Sequence, residues 1–256
     1  MSAPLLLLLS LFTAALGSTA QATVGFGTAL ILSPLLLAVL EPAEAVFCTL
    51  VQATVLSVMM LARERKALDL DRGVTLGLLL PAVPGVFAGV ALLEVISKVW
   101  LQLSVGVIVL GFVLLQLSWR GRPDRRVRGL HFDALAPPAG FASGLLNGAV
   151  STGGPPLAIW LHRVRASPDQ IRHTLAVVFV AVNLTTLLAL AVVVSPAISA
   201  DGRAALAGAL VGTPAGYAIG VRSLRRLSDA GFASLFLALL ATVGVASAAA
   251  GLLGLF

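Results

Sequence analysis

Apolar positions run along this chain without the periodic interruptions of a soluble fold. Segments 74–93, 99–117, 171–194 and 230–256 are nearly unbroken in Leu, Val, Ala, Ile and Phe. Each is long enough to cross a hydrocarbon core of about 30 Å as a helix rising about 1.5 Å per residue. A transmembrane β-strand would alternate apolar and polar residues, and these runs do not. The pattern predicts an all-α polytopic membrane protein with spanning helices over 45–61, 73–93, 99–119, 171–194, 204–221 and 230–256.

Two further apolar stretches, 4–40 and 137–161, are interrupted in the middle by glycine. The breaks read Thr23-Val24-Gly25-Phe26-Gly27-Thr28 and Asn147-Gly148-Ala149-Val150-Ser151-Thr152-Gly153-Gly154-Pro155. The second stretch is too short for two helices of about 20 residues. Both are predicted as hairpins of two short helices with the tip buried, because irregular backbone at membrane depth must be covered by protein or line a cavity. The first is longer and leaves room for two complete spans, with the same parity.

The breaks belong to a duplication. An offset of 126 places Pro42 on Pro168, Gln21 on Asn147, Gly27 on Gly153, Thr28 on Gly154 and Ser57 on Asn183. Further along the offset grows to 131, and Gly85-x-x-x-Gly89 falls on Gly216-x-x-x-Gly220 and Ser97 on Ser228. Each half thus reads as a broken-helix hairpin followed by three helices. The first half is 1–119, the second 137–256, and a basic segment, 120–136, joins them.

Charge orients the halves. Basic residues gather at Arg63, Arg65, Lys66 and Arg72; at Arg120, Arg122, Arg125, Arg126 and Arg128; at Arg163, Arg165 and Arg172; and at Arg222, Arg225 and Arg226. The positive-inside rule puts all four groups in the cytoplasm. The turns at 41–44, 94–98 and 195–203 are poor in Lys and Arg and face outward, with Glu41 and Glu44 expected in solvent. On that assignment corresponding helices of the two halves run in opposite directions. This inverted-topology repeat is the architecture of many secondary transporters.

Composition narrows the function. The chain is 59% hydrophobic and only 11% charged, with a mean hydropathy of +1.03, where a soluble domain is about a quarter charged. The net charge of +6 sits in short loops, so orientation explains it and nucleic acid is not an expected partner. The single cysteine, Cys48, excludes an internal disulfide and a multi-cysteine metal site, and reads as a packing residue. Ala20-Gln21-Ala22 resembles a signal-peptidase site, but no Lys or Arg precedes Arg63, so the segment is read as part of the mature protein. No enzyme signature, metal-ligand spacing or cofactor motif is present, and the chain lacks a Walker-type loop. Transport would have to draw on an ion gradient or on the substrate's own gradient.

The tips carry the candidate chemistry. Glycine permits the turn, Pro155 suits the first turn of a new helix, and Ser151 and Thr152 suit its cap. Each new helix begins with free N–H groups and a positive dipole end. Two such ends meeting at mid-membrane from opposite sides would hold a small anion without a buried cation. Gln21 and Asn147 precede the tips, and Asn183 lies about three turns beyond Arg172, near mid-membrane. The candidate substrate-binding residues are therefore Gln21, Gly25, Gly27, Thr28, Asn147, Ser151, Thr152, Gly153, Gly154, Pro155, Arg172 and Asn183. Against this stand plainer readings: glycines that pack helices, an interhelical amide pair, and a snorkelling Arg172. Gly85, Gly89, Gly216 and Gly220 are assigned to packing.

Gly25-Phe26-Gly27 followed by Pro34, then Gly144-x-x-x-Gly148, Gly153-Gly154-Pro155, Arg172-x-Thr174 and Asn183 resembles the TauE/SafE sulfite exporter family over nearly the whole chain. The first copy departs from the pattern at Thr28-Ala29, which lacks the Gly-Pro of Gly154-Pro155. The resemblance implies a permease for small sulfur-containing anions such as sulfite or organosulfonates in a bacterial inner membrane. Alternatives are a passive anion channel, a non-transporting scaffold and a cation permease. The absence of buried acidic ligands counts against the last. The partners expected are a small anion and the lipid bilayer, and a homodimer stays open.

Overall fold

The computed structural model describes residues 3–63, 72–119, 133–223 and 229–253. The expected basic segments 64–71 and 120–132, together with Arg225, Arg226 and Ser228, lie outside the described residues. The described chain forms ten helices and no strand: α1 Ala3–Val24, α2 Thr28–Val39, α3 Pro42–Arg63, α4 Arg72–Val95, α5 Lys98–Trp119, α6 Ala136–Val150, α7 Gly154–Arg163, α8 Pro168–Val193, α9 Ala200–Ser223 and α10 Asp229–Leu253. Six of them, α1, α3, α4, α5, α8 and α9, are long and apolar enough to cross a membrane.

Several boundaries have local causes. Pro42 and Pro168 open α3 and α8, where a missing N–H costs nothing. Ser167 caps α8 in a reciprocal box: the Gln170 N–H donates to the Ser167 hydroxyl, and the Ser167 N–H donates to the Gln170 side chain. Asp133 ties the hairpin of α6 and α7 together, accepting from the Leu135 N–H at 3.1 Å and from Trp160 Nε1 at 2.7 Å.

The first hairpin differs from the expectation of two short arms. Its α1 has 22 residues and α2 only 12, whereas α6 and α7 have 15 and 10. Leu5-to-Leu16 apolar residues continue α1 outward to full span length, while the Pro42 start of α3 leaves α2 no room to extend.

Polarity is inverted relative to a soluble fold. Leu80, Phe87, Val95, Leu114, Leu188, Val192 and Val211 are exposed, while Ser18, Gln21, Gln52, Ser57, Ser143, Asn147, Asn183 and Thr213 are buried. Acyl chains suit the first group, and polar groups withdrawn from them must find partners inside.

The most extensive helix contacts are α1 with α9, α4 with α6, α5 with α10 and α3 with α8. Exchanging α1–α5 with α6–α10 in order maps this set onto itself. The first two pairs are glycine seams. Gly208, Gly212 and Gly216 lie on the carbonyls of Leu7, Leu11 and Ala15. Gly85, Gly89, Gly140, Gly144 and Gly148 interleave with the backbones of the facing helices. In both seams residue numbers rise together, so the helices are parallel. Between α5 and α10 they run oppositely: Gly106 faces Ala248, Gly244 faces Val109 and Leu110, and Gly251 faces Leu103. Small residues bring backbones close where lipid supplies no hydrophobic drive.

One charged residue departs from expectation. Glu41 is exposed, but Glu44 is 5% exposed and accepts from the Ser199 N–H at 2.6 Å. The partner comes from the segment before α9, which fits over α3 because Gly202 has no side chain to meet Glu44.

Candidate functional site

The tips are formed by the α1–α2 and α6–α7 junctions, and Gly25 to Thr28 and Asn147 to Pro155 are buried throughout. Both turns use positive φ at aligned positions, 98° at Gly25 and 56° at Ser151. Serine tolerates the left-handed region at a cost that its surroundings must offset. The Ser151 N–H donates to the Asn147 carbonyl at 2.9 Å and the Thr152 N–H to the Leu146 carbonyl at 3.2 Å. The Gly25 N–H donates to the Gln21 carbonyl at 2.8 Å. These bonds close the turns, and the N–H groups of Gly27, Gly153 and Gly154 take no part in them.

The tips meet. A side-chain carbon added at Gly154 would lie 2.8 Å from the ring of Phe26. Phe26 itself stands edge-on to Phe112 of α5, with centroids 5.0 Å apart. Beside the meeting point is a small cavity of about 30 Å³, room for one or two waters. Of the expected residues, Gln21, Gly27, Thr28, Asn147, Ser151, Thr152, Gly153, Gly154 and Asn183 line it.

Side-chain contacts in the wall repeat in both halves. Gln21 Nε2 donates to Ser57 Oγ at 3.5 Å, and Asn147 Nδ2 to Asn183 Oδ1 at 3.1 Å, each across 36 residues of sequence. Asn147 also donates to Thr186 Oγ1 at 2.9 Å. Ser143 Oγ holds the second tip by donating to the Gly153 carbonyl at 2.7 Å. The Thr152 hydroxyl is buried at the cavity with no hydrogen-bond partner among the described residues. An orphan hydroxyl in such a place is costly unless something else satisfies it.

Gly25, Pro155 and Arg172 are not part of the cavity wall. Gly25 and Pro155 shape the turns from behind. Arg172 pairs with Asp169 one turn earlier, and its backbone backs the first tip: a side-chain carbon at Gly25 would lie 3.2 Å from the Arg172 Cα. Sequence reasoning missed the wall residues Phe26, Ala29, Leu30, Ala53, Ser57 and Phe179. The signal for Ser57 was present in its alignment with Asn183.

The arrangement offers backbone and hydroxyl donors, one carboxamide pair, one carboxamide–hydroxyl pair and aromatic walls, with no ionised side chain lining the cavity. Among the described residues no group of three metal-ligating side chains occurs. A small anion fits this chemistry, since N–H and O–H dipoles can stabilise it without a partner charge. The family model described as Sulfite exporter TauE/SafE matches residues 9–247. Neither a curated protein nor a solved structure matches the chain.

Proposed function

The chain belongs to the TauE/SafE sulfite exporter family, and from that membership we propose that it is a secondary transporter carrying a small sulfur-containing anion, such as sulfite or an organosulfonate, across a bacterial inner membrane. The substrate binds where the two tips meet. Gly27, Gly153 and Gly154 offer backbone N–H groups, Thr152 its hydroxyl, and the Gln21–Ser57 and Asn147–Asn183 pairs set the walls. The observation that carries the reading is the buried Thr152 hydroxyl, which has no partner among the described residues and belongs to a residue on a cavity whose polar lining is uncharged.

Alternating access follows from an inverted repeat, in which the halves rock about a fixed central site. The antiparallel run of α5 against α10 and the matched amide contacts across 36 residues support that reading. Pro155 and Pro156 remove two N–H donors from the first turn of α7, which concentrates anion binding at the tip of the turn, on Gly153 and Gly154.

Counterflow in proteoliposomes tests the proposal. Vesicles preloaded with unlabelled sulfite should accumulate labelled sulfite transiently and saturably, and a passive channel would give no such overshoot. If sulfite, thiosulfate, sulfate, sulfonates and carboxylates all fail both to exchange and to raise the unfolding temperature, the reading falls.

A further inference from the structure

A second cavity lies between α3 and α9, at the ends carrying Arg63 and Arg222. It has a volume of about 400 Å³ and is open to the surroundings, and Met59, Pro214, Tyr217 and Ala218 form its apolar wall. The two helices run the same way here: Cys48 lies by Gly202 near their starts, and the Tyr217 hydroxyl donates to the Met59 carbonyl at 3.4 Å near their ends. Both arginines therefore emerge at one end of one groove. Both are exposed, and neither is in an ion pair among the described residues.

The groove continues the lipid-facing surface. Val55 and Val58 precede Met59 on α3 and are exposed, as are Val211 and Ile219 on either side of Pro214 and Ala218 on α9. No residue lines both cavities. Tyr217 instead packs against the buried Leu56, Met60 and Ala176. Membrane-depth apolar walls ending in two cations match a molecule with an acyl chain below and an anionic headgroup above.

We propose that this groove binds a phospholipid with an anionic headgroup, its phosphate between Arg63 and Arg222 and an acyl chain along Met59, Pro214 and Ala218. The site stands apart from the transport site, and its test needs no transport. Purified full-length protein in neutral detergent is titrated with short-chain phosphatidylglycerol or phosphatidylcholine, with thermal unfolding as the readout. Phosphatidylglycerol should stabilise the protein at lower concentration than phosphatidylcholine. R63Q or R222Q should each weaken that preference about fivefold and the double variant about thirtyfold, taking about 1 kcal/mol per interfacial cation. R203Q, at the opposite end of α9, should leave it intact. Filling the groove with A218W should abolish phosphatidylglycerol binding while both arginines remain.

Equal response to the two lipids in the wild type would overturn the proposal, as would an unchanged preference in the double variant or in A218W. If glycerol phosphate or inorganic phosphate reproduces the stabilisation at similar concentration, the groove is a vestibule for free anions and the lipid assignment is wrong.

Discussion

The two tips occupy aligned places in their halves and are held by exchanged means. In the first, Gly17 leaves room for Thr28, whose Cα would lie 2.8 Å from a side-chain carbon at position 17. In the second, the aligned residues are Ser143 and Gly154, and the hydroxyl now comes from the supporting helix to the Gly153 carbonyl. The first tip is also pinned from outside. Thr28 Oγ1 donates to Gln52 Oε1 at 3.2 Å, and Gln52 Nε2 donates to Ser18 Oγ at 3.3 Å and Thr213 Oγ1 at 2.8 Å. The aligned counterparts of Gln52 and Ser18 in the second half are Val178 and Gly144, and that of Thr213 in the first half is Ala82. One tip is fixed by side chains that use up its threonine hydroxyl; the other is fixed from behind, and the Thr152 hydroxyl, on a residue that lines the cavity, has no partner among the described residues. The first tip is thus held by more side-chain bonds than the second, and on the proposed function the two tips divide anchoring from binding.

The hardest blow to that division is Gly153→Ala. The backbone there has φ −70°, which alanine accepts. The new carbon, however, would come 2.7 Å from the Ser143 carbonyl oxygen and 2.9 Å from its hydroxyl. Overpacking of this kind costs about 1–3 kcal/mol, and the displaced tip should lose sulfite counterflow altogether. Gly27→Ala fails for another reason: φ is 130° and any side chain is strained there, by about 1–3 kcal/mol. Unfolding curves for the pair should show similar losses. Retained counterflow in Gly153→Ala would mean that the second tip is not the binding one.

Next in size is Asn147→Ala. It removes two well-formed bonds and leaves the Asn183 and Thr186 oxygens buried without their donor, a loss of about 1–3 kcal/mol. Gln21→Ala should cost less, because both its bonds are longer: 3.5 Å to Ser57 Oγ and 3.3 Å from the Thr28 N–H to its carboxamide oxygen. Equal or reversed losses, measured by thermal unfolding, would erase the asymmetry between the halves.

Gln52→Val gives the first half the residue that the second already has. Gln52 is fully buried, and the change frees the Thr28 hydroxyl, while the Thr28 N–H keeps its bond to the Gln21 carboxamide. Stability should fall by about 1–2 kcal/mol. Anion affinity should stay within about twofold of the wild type, since Gln52 is not part of the cavity wall. A large loss of affinity with little loss of stability would give the first tip the binding role.

Much of this was legible because a bilayer permits few solutions. Long apolar runs had to be helices, and glycine breaks inside them had to be covered. The aligned Gln21 and Asn147, Gly27 and Gly153, and Thr28 and Gly154 all fall on the wall of one cavity. What escaped was whatever depends on a partner distant in sequence. Glu44 reads as an outer-turn carboxylate until the Ser199 N–H, 155 residues away, is brought over it. Gln52 meets Ser18 on α1 and Thr213 on α9, and nothing near residue 52 announces either. Arg172 pairs with Asp169, which stands one turn earlier at a spacing that a helix brings together.

Thr152→Val should disturb the fold least and still test the binding role. The aligned residue in the first tip is Phe26, which turns an aromatic ring to Phe112; only the second tip places a hydroxyl here. Valine keeps the shape and removes an oxygen that has no partner among the described residues. Stability should therefore hold within about 0.5 kcal/mol or rise slightly. A hydrogen bond to a charged acceptor contributes about 1.5–3 kcal/mol, so sulfite affinity, read from the shift in unfolding temperature, should fall at least about tenfold. If the variant loses stability and keeps its affinity, the hydroxyl belongs to the scaffold. The second tip would then bind through backbone alone, and the division between the tips would rest on Gly153 and Gly154.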